Sequence, residues 1–216
     1  MQISDQITER YSYERVVESI CALNWTSLSR EDLSNVARAY YYFSVQFREN
    51  LEIACRLFPD DDKLRQLSLG ECATDNLSPW PGVALPGEKL DHDEFMRRLL
   101  ELPVDDSNRC AFIDQIGLQY LETIRRMGPD ACACSIASYE DGGLERLFRA
   151  ILTAPHWDSD LLRAFRHFLV QHIAFDEDPD QGHGALSRHL APDDRILPLW
   201  LECRNLLVAA APTLLS

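Results

Sequence analysis

Residues 161–176 read LLRAFRHFLVQHIAFD, an apolar helical stretch in which Asp176 follows His172 by one turn. His183 comes eleven residues after His172, between two glycines. At about 100° per residue, offsets of four and eleven residues return to nearly the same side of a helix, so both imidazoles and the carboxylate are predicted to face one point. Polar side chains on a core-facing stripe are costly to bury unless a partner satisfies them, and a metal ion would do so.

The rest of the chain predicts an all-α protein. Apolar residues recur at intervals of three and four almost everywhere, without a convincing run of period two. Ser29, with Asp32 three residues later, predicts the start of a long second helix. The predicted helices cover about residues 5–23, 29–58, 60–71, 91–102, 107–127, 130–153, 158–178 and 192–211. We therefore expect residues 1–216 to form a single helical bundle of seven or eight helices.

One segment interrupts this pattern. Residues 74–90, TDNLSPWPGVALPGEKL, contain three prolines and two glycines and are predicted to form a loop. A loop of this length is unusual in a compact helical domain and is typical of a lid or an active-site wall.

Charge and cysteine usage narrow the functional classes. The net charge is -14, from 35 acidic and 21 basic residues, which argues against nucleic acid or an anionic membrane as a partner. No apolar run is long enough to span a bilayer, and the first residues, MQISD, do not resemble a signal peptide. The seven cysteines are scattered through apolar stretches, as expected of buried thiols in a reducing compartment. We expect a cytoplasmic protein.

Six residues form a candidate ligand set of three carboxylates and three imidazoles on several helices, which is the kind of set that non-haem iron sites use. Taken singly, each is also explained as a solvated, capping or surface residue, and Asp180 is an alternative to Asp176. Gly142 and Gly143 follow one carboxylate closely and indicate a bend or a close approach. The candidates are Glu71, His92, Glu140, His172, Asp176 and His183.

For the other polar residues the sequence gives weaker indications of a functional role. His167 lies five residues before His172 and is expected to be structural. The run Tyr40–Phe43 is expected to pack in the core, although one of its tyrosines is a candidate for lining a cavity. Arg163 and Arg166 are candidates for binding a substrate carboxylate, although a surface position is the simpler expectation for each.

The order Glu, His, Glu, then a helix with His-x-x-x-Asp and a later His, resembles the haem-oxygenase-like diiron oxidases and oxygenases. The fragments that carry the resemblance are LGE at 69–71, DH at 91–92, SYE at 138–140, HIAFD at 172–176 and GHG at 182–184. It extends over roughly residues 30–210, but only the ligand positions are specific.

This resemblance implies two iron ions, with a manganese–iron pair not excluded, and O₂ as a cosubstrate. The implied reaction is oxidation of a small amine or amino-acid-derived metabolite, by N-oxygenation or oxidative C–C cleavage, in a biosynthetic pathway. An external electron donor and a homodimer are also implied.

The chain departs from that family in two intervals. Glu71 and His92 are 21 residues apart, where one or two helical turns are common, so residues 74–90 would have to be an insertion that returns the chain to the site. The interval from Asp176 to His183 is also longer than usual.

Three alternatives stay open. One is a metal-free enzyme of the same fold, similar to thiaminase II or pyrroloquinoline quinone synthase, for which Cys72 is the only candidate nucleophile. A haem-binding oxygenase needs a histidine near the N-terminus, whereas the first histidine here is His92. The third is a helical binding protein without enzymatic activity.

Overall fold

The computed structural model describes residues 12–103, 109–176 and 186–216. Within these ranges the chain forms nine α-helices and no β-strand, which confirms the all-α prediction. The helices are α1 (Tyr13–Cys21), α2 (Arg30–Leu57), α3 (Asp62–Glu71), α4 (His92–Leu99), α5 (Cys110–Arg125), α6 (Pro129–Ser138), α7 (Leu144–Ile151), α8 (Asp160–Asp176) and α9 (Leu197–Ala210).

Helix α2 lies at the centre of the bundle and contacts α3, α4, α5, α6, α8 and α9. Its start follows the sequence prediction: the Ser29 hydroxyl accepts from the Asp32 amide, and the Asp32 carboxylate accepts from the Ser29 amide. This reciprocal cap satisfies two of the amides that a helix leaves unpaired at its N-terminus. The first turn of α4 is fixed against α2 by an ion pair in which Arg48 Nε donates to Asp93 Oδ2 over 2.8 Å. Burial raises the pKa of Asp93, and Arg48 opposes that shift.

The predicted helix over residues 130–153 is divided, which is why nine helices are found instead of seven or eight. Residues Tyr139–Gly143 form a π-helical turn between α6 and α7. Gly142 has φ +88°, a conformation that side chains disfavour. A Cβ on Gly143 would lie 2.1 Å from the Ser138 carbonyl oxygen and 2.8 Å from Cζ2 of Trp200, so the backbone packs closely here. The two glycines thus produce the predicted close approach.

The predicted loop at 74–90 contains no helix and is closed at its base. Thr74 and Leu90 exchange two backbone hydrogen bonds of 2.8 and 3.1 Å, and the Asp91 carboxylate accepts from the Ala73 amide over 2.8 Å. Arg98 of α4 donates to the Glu88 carboxylate over 2.7 Å and to the Val83 carbonyl oxygen over 3.3 Å, and so attaches the second half of the loop to that helix. The end of α3 and the start of α4 are therefore brought side by side.

Among the described helices, none combines the length and the apolar character that crossing a bilayer requires.

The close approach at Gly143 gives a first prediction. Gly143→Ala should lower the free energy of unfolding by about 1–3 kcal/mol, because the added methyl group cannot be accommodated without moving backbone or the Trp200 ring. Gly128→Ala is the matched control, since a Cβ there meets no atom within 4 Å, and it should change stability by less than about 0.5 kcal/mol. Urea denaturation followed by circular dichroism measures both; equal stability of the two variants would contradict the close packing at the π-helical turn.

Candidate metal centre

Four of the six candidate ligands meet around one small cavity inside the bundle. Each is only 5% to 7% exposed. The cavity has a volume of about 20 Å³, enough for roughly one water-sized group. It is lined by Tyr40, Ser44, Phe47, Glu71, His92, Glu140, Leu144, Phe168 and His172.

Each candidate comes from a different element. Glu71 is the last residue of α3, and His92 is the first residue of α4, so closure of the loop between them sets their separation. Glu140 lies in the π-helical turn. His172 lies on the inner face of α8. Convergence of residues so far apart in the sequence requires the whole bundle to form.

The closest contacts are between Glu71, His92 and His172. Nδ1 of His92 lies 2.6 Å from Oε2 of Glu71 and 2.9 Å from Nε2 of His172. One ligand atom from each of the three residues can be chosen so that all lie within 4.8 Å of one another. Neighbouring ligands of one ion, each at about 2.1 Å and about 90° apart, are separated by about 3 Å, which is close to these distances.

The outer hydrogen bonds of the two imidazoles decide which nitrogens carry protons. His172 Nδ1–H donates to the Phe168 carbonyl oxygen over 2.8 Å, and His92 Nε2–H donates to Asn76 Oδ1 over 3.0 Å. Both partners are oxygens that can only accept. The orientation of the Asn76 amide is itself fixed, because its Nδ2 donates to the Gly70 carbonyl over 2.9 Å.

A neutral imidazole with a proton on its outer nitrogen has a lone pair on the inner one. The lone pairs of His92 Nδ1 and His172 Nε2 consequently point at each other across 2.9 Å, beside the carboxylate of Glu71. Such an arrangement is repulsive unless a cation lies between the atoms. Either a metal ion or a proton on His92 Nδ1 can serve, and ring N–H groups held by carbonyl oxygens are typical of metal-binding histidines.

The donor chemistry fits a divalent metal ion. Two imidazole nitrogens and a carboxylate oxygen suit iron, manganese, cobalt or zinc, and two imidazoles with one carboxylate are the set that many non-haem Fe(II) sites use. Glu140, on the same cavity, supplies a second carboxylate. Glu71, His92 and His172 can therefore hold a metal ion.

The remaining ligand predictions lie outside the described part of the chain. Asp180 and His183 fall in residues 177–185, and of Asp176 only the helical backbone is described. The structure thus places Glu71, His92, Glu140 and His172 and leaves the other three as predictions.

Sequence reasoning missed Asn76, which orients His92 from within the loop. Periodicity could not identify it, because its position depends on an irregular backbone. Tyr40 packs in the core, as expected of its run, and it also lines the cavity, the role for which one of these tyrosines was a candidate. By contrast, Arg163 and Arg166 are exposed on the outside of α8 and do not reach the cavity, so their candidate role beside the ligands is not supported.

The environment of Cys72 bears on the metal-free alternative. Burial, reinforced by the carboxylates of Asp91 and Glu71, raises the pKa of this thiol to about 12. A nucleophilic cysteine needs a thiolate, which this environment disfavours at neutral pH. Cys72 is unsuited to act as a nucleophile.

No protein-family model, no curated protein and no solved structure matches this chain.

The hydrogen bond from His92 to Asn76 gives a second prediction. Asn76→Ala removes the acceptor that keeps the proton on Nε2, so affinity for Co(II) or Mn(II) should fall by about 10- to 100-fold. Isothermal titration calorimetry of the metal-free protein measures this. Asn205→Ala, on α9 and away from the cavity, is the control. Unchanged affinity in the Asn76 variant would show that its amide does not position a metal ligand.

Proposed function

We propose that this protein is a non-haem iron enzyme that uses O₂ to oxidise a small organic molecule. The observation that carries the proposal is the buried convergence of His92, His172 and Glu71, with both imidazoles held so that their lone pairs face inward. Iron bound there would supply one-electron chemistry and a binding position for O₂.

The charge of the site supports a cation of charge two or more. Glu71 and Glu140 bring two carboxylates into a largely apolar interior, where burial of an anion is costly unless positive charge lies close to it. The imidazoles are neutral ligands that do not offset this charge when their inner nitrogens are unprotonated. A divalent ion would neutralise both carboxylates and satisfy the converging lone pairs at once.

The walls of the cavity favour a small ligand. Tyr40, Phe47, Leu144 and Phe168 surround the polar groups with apolar surface, which excludes bulk water. Exclusion of water strengthens every electrostatic interaction in the site and protects reactive species from side reactions. The volume of about 20 Å³ corresponds to roughly one water-sized group and is too small for an organic substrate.

We extend the proposal to a second iron ion, which the sequence leads us to expect. Glu140 is positioned on the cavity to contribute to it, and Asp176 and His183 would complete its ligands. The substrate class, a small amine or amino-acid derivative, also remains part of the proposal and rests on the resemblance of the ligand order alone.

A metal and oxygen experiment tests the proposal. Metal-free protein is titrated with Fe(II) under anaerobic conditions, the bound iron is counted, and O₂ consumption is followed after mixing with oxygenated buffer. We expect one to two Fe(II) per chain and O₂ uptake that depends on the bound iron. His172→Ala should abolish tight binding and O₂ uptake, since it removes an inner ligand.

Matched control variants distinguish the loss of a ligand at the site from a general effect of mutation. His156→Ala and Glu145→Gln, which alter residues outside the cavity, should leave iron binding and O₂ uptake unchanged. Folded wild-type protein that binds no divalent metal would refute the metal centre and favour a proton between the histidines. Iron binding without any O₂ uptake would leave the metal site but refute the oxidase proposal. A count of two irons that falls to one in Glu140→Gln would support the two-metal form.

A further inference from the structure

A second pocket lies on the opposite side of α8 from the candidate metal centre. It has a volume of about 420 Å³, within the usual range for small-molecule sites. Its walls combine two indole rings, two guanidinium groups, an imidazole and an aliphatic side chain. These belong to Trp80, Trp157, Arg163, Arg166, His167 and Val170.

The helical residues of this pocket share one face of α8. Positions 163, 166, 167 and 170 follow the spacing of neighbours on a helix surface. His172 points about 180° away from Arg163 and about 120° away from Arg166 around the helix axis. An occupant of this pocket would therefore not contact the buried ligands, and the pocket is separate from the candidate metal centre.

The aromatic walls are fixed in place by the surrounding structure. The ring of Trp80 stacks on the imidazole of His167, with centroids 4.5 Å apart and planes inclined by 23°. His167 Nε2–H donates to the Leu77 carbonyl oxygen over 3.0 Å, which ties that stack to the loop. Trp157 Nε1–H donates to the Ala154 carbonyl over 2.7 Å. Pre-organised walls lower the entropy cost of binding a ligand.

The pocket contains two arginines, although the chain as a whole is strongly acidic. Arg163 is partly engaged, since it donates to the Asp158 carbonyl oxygen and the Asp160 carboxylate. Arg166 is exposed, and within the described residues its guanidinium makes no hydrogen bond or ion pair. With a net charge of -14, most arginines here have acidic neighbours, whereas the Arg166 guanidinium lines this pocket without such a neighbour among the described residues and is available for an anion from solution.

We propose that this pocket binds a small aromatic carboxylate. The carboxylate would pair with Arg166, because a guanidinium binds that group with two parallel hydrogen bonds. The ring would lie against the indoles of Trp80 and Trp157, which favour planar apolar groups. Inorganic anions would satisfy only the cation, and neutral aromatic molecules only the walls.

Tryptophan fluorescence can test this proposal directly. Of the four tryptophans, Trp25 and Trp200 are at most 2% exposed, so a ligand added from solution changes mainly the emission of Trp80 and Trp157. We expect a saturable change with phenylacetate, and at least about tenfold weaker binding of phenylacetamide and of acetate. Arg166→Gln should weaken phenylacetate binding by about tenfold or more and leave phenylacetamide binding nearly unchanged.

Controls separate this site from the metal centre. Arg126→Gln removes an exposed arginine directly after α5 and should leave phenylacetate binding unchanged. Binding should also be the same in metal-free protein, in Mn(II)-loaded protein and in His172→Ala. Absence of saturable binding, or an equal affinity in Arg166→Gln, would overturn the proposal. Binding that requires Mn(II) and disappears in His172→Ala would place the carboxylate on the metal and would overturn it as well.

Discussion

The constraint on which the site depends is the meeting of two imidazole lone pairs and a carboxylate in the interior of the bundle. His92 Nδ1 lies 2.6 Å from Glu71 Oε2 and 2.9 Å from His172 Nε2, distances at which unscreened repulsion would be large. Either a metal ion or a proton between these atoms relieves that repulsion, and the bundle holds the three residues in register. The carbonyl oxygens of Phe168 and Asn76 make this arrangement specific, because they require the ring protons on the outside.

The loop at 74–90 meets this constraint by bringing two distant ligands together. Closing a loop of about twenty residues costs on the order of 2–3 kcal/mol beyond a constant term. The paired backbone of Thr74 and Leu90, the Asp91 cap on Ala73 and the Asn76 amide offset that cost with hydrogen bonds. Each also orients the end of α3 or the start of α4. The segment that separates Glu71 from His92 in the sequence is therefore what joins them in space.

Local patterns predicted the helices well, because the apolar period and the Ser29 cap act over a few residues. They also indicated the irregularity at Gly142 and Gly143, but not that it would be a π-helical turn, whose extra residue depends on close packing against Trp200. Four of the candidate ligands line one cavity, but helical spacing alone could not predict that Glu71 and His92 lie together, since the loop separates them in the sequence. Asn76 could not be predicted, since only the folded loop places its amide beside His92.

Helix α8 has two chemically different faces, and one dipeptide of the loop hydrogen-bonds to His167 on the outer face and to His92 of α4, which contacts His172 on the inner face. His172 faces inward, whereas Arg166 and His167 face outward. Asn76 accepts from His92 on the inner side, and the adjacent Leu77 carbonyl accepts from His167 on the outer side. Two consecutive residues of the loop therefore hold the Trp80–His167 stack on the outside of the bundle and the imidazole of His92 on the inside. The same short stretch of irregular backbone thus orders two chemically separate sites, which explains why a segment without regular secondary structure is held by so many hydrogen bonds.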